Sequence, residues 1–192
     1  MGDRSNRIKL YTSQADAVLQ AIERDGCCYS REEFVRRKYG ESAPIFLTAY
    51  RWFVKEAEKL APRPEGAEFP YWAFRDLYSV EQSGNSHVLT LQVPMEEVIL
   101  FDMYDWNKIL CMKLIGRDRA EEQEFHEFLE ACGVKETDVM LTGFYPEWRQ
   151  KIQESWSRLF SHHERLIGGD FTGVGSVQAA LWRIKKEWIV KS

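Results

Sequence analysis

RDLYSVEQSGNSHVLTLQVPMEEVILFD, residues 75–102, is where the chain changes period. Upstream, apolar residues recur every three or four positions. Inside this stretch Leu89, Leu91 and Val93 alternate with Thr90 and Gln92, the signature of a half-buried strand. The pattern predicts a hairpin, with Leu77–Glu81 entering, Ser83–Ser86 turning and His87–Val93 returning before Pro94 ends it. Val98–Phe101 is a short apolar run that suits a further buried strand, and Asp102 follows it directly.

Working towards the N-terminus, YWAF (71–74) is preceded by an irregular connection holding Pro62, Pro64, Gly66 and Pro70. IFLTAYRWFVKEAEKL, Ile45–Leu60, is a strong helix whose stripe is Phe46, Ala49, Tyr50, Phe53, Val54, Ala57 and Leu60. Ser30 with Glu33 forms a capping-box pattern ahead of a short charged helix ending at Gly40. KLYTSQADAVLQAIERDG (9–26) reads as a short strand, a polar corner at Tyr11, Thr12 and Ser13, and a helix capped by Ser13 and stopped by Gly26.

Towards the C-terminus, Met103–Ile115 reads as a helix with Trp106, Ile109, Leu110 and Leu114 on one face. Ala120–Ala131 is another, with Phe125, Phe128, Leu129 and Cys132 inward. EWRQKIQESWSRLF carries Trp148, Ile152, Trp156, Leu159 and Phe160 on a shared face, with Pro146 in its first turn. The last segment, VQAALWRIKKEWIVKS, fits either period, and its alternation of Trp182, Ile184, Trp188 and Val190 against charges favours a strand. Helices and strands mix without regular βαβ alternation. The expected class is therefore α+β: a single compact domain over 1–192, with 1–7 flexible and an antiparallel or mixed sheet packed with several amphipathic helices.

The chain has 192 residues, 44% apolar and 29% charged, as a soluble globular protein does. Folding at this length buries roughly 70% of the surface of the unfolded chain. Seven Trp, each burying about 150–250 Å² when internal, are expected mostly in the core. A net charge of -4 gives no strong nucleic-acid signal. Cys27, Cys28, Cys111 and Cys132 show no C-x-x-C spacing and read as reduced thiols. The polar start MGDRSNR and the lack of an 18-residue apolar run predict a cytoplasmic chain with no membrane contact. Asn6 stands where N-myristoylation needs Ser or Thr.

Motifs that carry chemistry are sparse. GGDFTGVGS (168–176) lacks the Lys of a P-loop and the third glycine of a dinucleotide fingerprint, so it reads as a surface loop. His162, His163 and Glu164 lack metal-ligand spacing, and no metal is expected. No serine sits in G-x-S-x-G. Asp102, Asp105 and Glu187 lie beside aromatic or apolar residues that would raise a carboxyl pKa. Asp102 also suits an N-cap for the helix of Trp106, and Glu187 in KKEW also suits a surface ion pair. Tyr11, Thr12 and Gln14 exceed what one helix cap needs, which makes them candidate ligand contacts.

LYTSQ, FPYWAF, VLTLQVPMEEVILFDMYDWNKIL and SVQAALW, in that order, resemble a bacterial family of uncharacterised proteins, domain of unknown function thirty-eight forty-one. The likeness runs from Leu10 to about Val190 and implies no activity, substrate or cofactor. More distantly, a strand ending in aromatic and hydroxyl residues before a glycine-stopped helix is similar to the opening of the ADP-ribosyltransferase superfamily. That resemblance implies NAD as cofactor, with Tyr11 and Thr12 at the nicotinamide, Tyr71 or Trp72 stacking, and Glu187 as the catalytic carboxylate stabilising an oxocarbenium-like sugar. The first strand lacks that superfamily's His or Arg, and Lys185 stands two positions before Glu187. The competing expectation is a non-catalytic module that binds a small ligand or a partner protein through Trp72, Trp106 and neighbouring aromatics.

Overall fold

The first strand is longer, and the first helix later, than a corner at residues 11–13 would make them. The computed structural model describes residues 6–81 and 84–190. In it β1 (Arg7–Ala15) leads into α1 (Asp16–Asp25). Ser13 does not cap that helix: its hydroxyl donates to Ser86 Oγ at 2.7 Å, and Ala15 precedes α1 without a side-chain cap. Gly26 does end α1, in the left-handed conformation at φ 76°. Of the flexible start expected at 1–7, residues 1–5 lie outside the described residues and Arg7 already belongs to β1.

The chain continues through β2 (Cys27–Tyr29), α2 (Glu32–Tyr39), α3 (Ala43–Ala57), β3 (Tyr71–Phe74), β4 (Ser86–Pro94), β5 (Ile99–Asp102), α4 (Met103–Leu110), α5 (Arg119–Ala131), α6 (Glu136–Leu141), α7 (Pro146–Ser155), α8 (His163–Ile167), β6 (Val177–Leu181) and β7 (Arg183–Lys185). Ser30 makes no capping box. It bridges Phe69, and the Glu32 N–H at the start of α2 donates instead to Glu68 Oε2 at 2.7 Å.

The expected hairpin is absent. Leu77–Ser79 is a single helical turn, with Leu77 and Tyr78 47% and 79% exposed, and of the expected arm's apolar residues only Val80 is buried. β4 pairs with β1 instead, from Arg7↔Pro94 to Ala15↔Ser86. That register sets Ile8 and Leu10 opposite Val93 and Leu91, all buried. Ser83 of the expected turn lies outside the described residues.

The main sheet has the order β4-β1-β3-β6-β5 and is antiparallel throughout, while β2 and β7 form a separate pair. With several helices packed on it, the fold is α+β. Directly paired residues share a face, so Tyr11, Phe74, Gln178 and Phe101 form one row, followed by Trp72, Ala180 and Ile99. That face meets the helical layer in a core containing Phe53, Trp106, Leu129 and Trp156. The alternate residues Leu10, Ala73, Ala179 and Leu100 meet Ile22, Leu166 and Trp188 on the other side. β6 is buried at all five positions, because both of its faces and both of its edges are covered.

Several helices differ from their sequence periods. α4 stops at Leu110, since Met112 adopts φ 58° and the Lys113 N–H returns to the Lys108 carbonyl at 2.8 Å. α5 turns Phe125 and Leu129 inward but leaves Phe128 and Cys132 exposed. α6 has no counterpart in the sequence reading. Among the described residues no helix is long and apolar enough to cross a membrane.

Each sheet edge is met by another part of the chain, which occupies strand groups that would otherwise be open to pairing. On β4, the Val190 N–H donates to the Thr90 carbonyl at 2.9 Å. On β5, the Leu100 N–H donates to Nδ1 of buried His163 at 3.1 Å. Burial lowers the His163 pKa below its ordinary 6.5. The unfolded chain therefore takes up this proton first, and the contribution of His163 to stability is complete above pH 6.5 and declines as pH falls towards the folded-state pKa. Denaturant midpoints between pH 7.5 and 5.5 should fall less steeply for His163→Asn than for the wild type; equal slopes would remove His163 from this role.

Candidate functional site

The strand alternation of β1 separates the residues of the expected polar corner. Tyr11 shares the helical-layer face with Phe74 and lies under the Lys9 ammonium at 5.2 Å. Thr12 points to the opposite side, paired with Leu89, and is fully buried. Its hydroxyl donates to the Trp72 carbonyl at 2.7 Å and accepts from Gln14 Nε2 at 2.7 Å. Thr12, with Gln14 donating to it from the same strand, thus extends the contact between β1 and β3 beyond their one ladder pair, Tyr11↔Phe74.

Trp72 and Trp106 do come together, with ring centroids 4.9 Å apart. Around them stand Tyr50, Phe53 and Phe101, mostly edge to face, as aromatic quadrupoles prefer. The Trp72 Nε1–H donates to the Tyr50 hydroxyl at 2.8 Å, and burial raises the Tyr50 pKa so that it stays a phenol. Trp106 and Trp182 are buried, and the Trp182 Nε1–H donates to the Ala61 carbonyl. Tyr71 projects to the other core and donates to Cys28 Sγ at 3.0 Å.

Asp102 caps α4. Its Oδ1 accepts from the Tyr104 N–H and its Oδ2 from the Gly175 N–H, both at 2.9 Å. A Cβ at Gly175 would stand 2.8 Å from the Tyr104 ring, so the glycine-rich loop approaches α4 where only glycine fits. Glu187 stands exposed in the single turn Lys186–Trp188, with no hydrogen bond or ion pair among the described residues. The eight residues singled out from the sequence therefore divide between strand pairing, an aromatic core, a helix cap and an exposed turn. No group of three or more His, Cys, Asp or Glu among the described residues is placed to hold a metal ion.

Two surface features lie elsewhere, on opposite flanks of α5. On one flank an aromatic ledge runs from Phe128 to Trp148 (5.2 Å, edge to face), to Tyr145 (5.0 Å, stacked within 2°), and to Phe144 (6.5 Å). Phe144 is 83% exposed and Phe128 46%. The signal in the sequence was Phe144 and Tyr145 between Gly143 and Pro146, aromatics set in a turn that has no period with which to bury them. On the other flank a groove of about 540 Å³ is lined by Cys111, Lys113, His126, Glu130 and the segment 133–137 that leads into α6. His126, Glu130 and Gly133 follow helical spacing, but their groove-mates come from Met112's turn and from α6, which periodicity did not reveal.

Thr12→Val keeps the shape of the side chain but leaves the Trp72 carbonyl without this donor and Gln14 without its acceptor. Urea unfolding should show a loss of about 1–3 kcal/mol with the folded-state circular dichroism unchanged. An unaltered midpoint would show that the buried hydroxyl carries no share of the β1–β3 contact.

A family model described as a domain of unknown function (DUF3841) matches residues 9–190. No curated protein and no solved structure matches the chain. The matched span begins inside β1 and extends past β7, so it takes in all of the sheet but Arg7 and Ile8, together with its helical layer and both flanks of α5. On that coverage the chain belongs to the DUF3841 family.

Proposed function

We propose that this protein is a non-catalytic recognition module that docks an extended, proline-containing peptide segment carrying a basic residue on the ledge formed by Phe128, Phe144, Tyr145 and Trp148. The observation that carries the reading is the exposure of Phe144 at the end of a continuous row of rings. A phenyl ring held in water stabilises nothing in the folded monomer, whereas burying it against a partner removes apolar surface from water. The stacked Tyr145 and Trp148 offer flat, rigid faces of the kind on which prolyl rings pack with little loss of conformational entropy.

Charge selects the peptide. Glu124, Glu127 and Glu147 are exposed beside the ledge and have no ion pair among the described residues. Glu124 lies one helical turn before Phe128, so its carboxylate and that ring share a flank. A basic side chain next to the apolar contact would meet these groups. The core aromatics Trp106, buried, and Trp72, half-buried, support the ledge only indirectly, through the layer on which α5 and α7 pack.

Selection of displayed random peptides on the immobilised wild-type protein should enrich sequences with proline beside Arg or Lys, and Phe144→Ala should abolish the enrichment. Phe144 is so exposed that its truncation should change stability by no more than about 0.5 kcal/mol. No enrichment, or enrichment that survives Phe144→Ala, would overturn the proposal.

A further inference from the structure

The groove on the other flank of α5 is built by an unusual piece of backbone. Residues 113–116 carry no helix or strand, and their polar groups are taken up by side chains from three helices and the turn after α7. The Leu114 N–H donates to Glu136 Oε1 at 3.3 Å, the Ile115 N–H to Ser155 Oγ at 3.0 Å and the Gly116 N–H to Glu122 Oε1 at 3.0 Å. The Lys113 carbonyl accepts from Trp156 Nε1 at 2.8 Å. The left-handed turn at Met112 buries that side chain and leaves its neighbours Cys111 and Lys113 outside, on the groove. The wall is therefore pre-organised, and its volume of about 540 Å³ lies within the range of small-molecule sites.

The groove carries two ammonium groups, Lys113 and Lys135, and two carboxylates, Glu130 and Glu136, and it is the carboxylates that meet fixed partners. Glu130 Oε1 stands 3.2 Å from His126 Nε2, a contact that is an ion pair when the ring is protonated. Glu136 is committed to the Leu114 N–H, and burial pushes its carboxyl towards the neutral form while Lys113 pulls the other way. Lys135 has no ion pair among the described residues, nor has Lys113. Two ammonium groups without an ion pair and the Thr137 hydroxyl thus line, beside the engaged carboxylates, a concavity to which Val134 adds apolar surface.

We infer that this groove binds a small organic anion, with Lys113, Lys135 and Thr137 holding its carboxylate or phosphate and Val134 its apolar body. Carboxylates and phosphate monoesters present the same charge and acceptor oxygens, so matched probes must distinguish them. The site is independent of the aromatic ledge, because the inward stripe of α5, Phe125 and Leu129, lies between the two flanks.

Cys111 lines the groove and reports its occupancy. Its alkylation by iodoacetamide, followed by peptide mass mapping, is to be compared with phenyl phosphate, phenylacetate or neutral benzyl alcohol present at constant ionic strength. Cys27 and Cys28 on β2 serve as internal controls. One of the two anions should slow Cys111 about tenfold at ten times its dissociation constant, benzyl alcohol should not, and the stronger anion names the preferred headgroup. The protection should vanish in Lys113→Gln/Lys135→Gln, whose melting temperature should match the wild type. Protection by neither anion, equal protection by benzyl alcohol, or protection that persists in the double variant would each overturn the inference.

Discussion

The structure depends on one constraint: β6 must be covered on both faces at once. All five residues of Val177–Leu181 are buried, and both of the strand's edges are taken, by β3 and β5. A strand whose two faces are both apolar needs a layer on each side. The helical layer supplies one and α1, α8 and Trp188 the other. The small residues Ala179 and Ala180 at its centre let both layers approach closely, and the large rings collect around them, with Trp72 and Ile99 paired to Ala180. The exposed surfaces that carry functional readings flank α5, which packs into the helical layer through Phe125 and Leu129, so their positions are inherited from this packing.

Within that layer, aromatic rings do work usually shared among aliphatic residues. Phe53 alone meets Trp72, Phe101, Trp106 and Phe160. Rings joined edge to face resist sliding more than branched aliphatic chains do, because their quadrupoles favour particular angles. α3 and α4 are thereby held in register with the sheet, and Trp156 extends the hold to the carbonyl of Lys113. The tryptophans singled out from the sequence as ligand contacts pack in this layer, while Phe144 and Tyr145 of the exposed ledge come from a connection between helices that carries no period.

What was legible in the sequence followed from periodicity and from caps that a single residue decides. Leu89, Leu91 and Val93 alternate as read, Asp102 caps α4, and Gly26 ends α1. Ser13 and Ser30 misled because a hydroxyl serves a ladder or a bridge as readily as a helix end, and only the partner strand decides between them. The partner of β4 was hidden for the same reason: alternation specifies a strand but not its neighbour, and β1, more than seventy residues earlier, sets buried Ile8 and Leu10 against it, whereas Leu77 and Tyr78 nearby stay exposed. The groove was out of reach because it depends on Met112 taking a conformation that residue type disfavours.

The carboxylate of Glu68 on the first N–H of α2 has a consequence for the order of assembly. α2 is eight residues long, without a side-chain cap from the residue that precedes it, and a helix that short is marginal in water by itself. Its missing cap arrives from 36 residues further along, brought by the bridge between Ser30 and Phe69. Helix formation there is tied to closure of a long loop, so α2 gains its order together with the tertiary fold and does not seed it. The nucleus must instead be sought where helix and core form from neighbouring residues, as along α3.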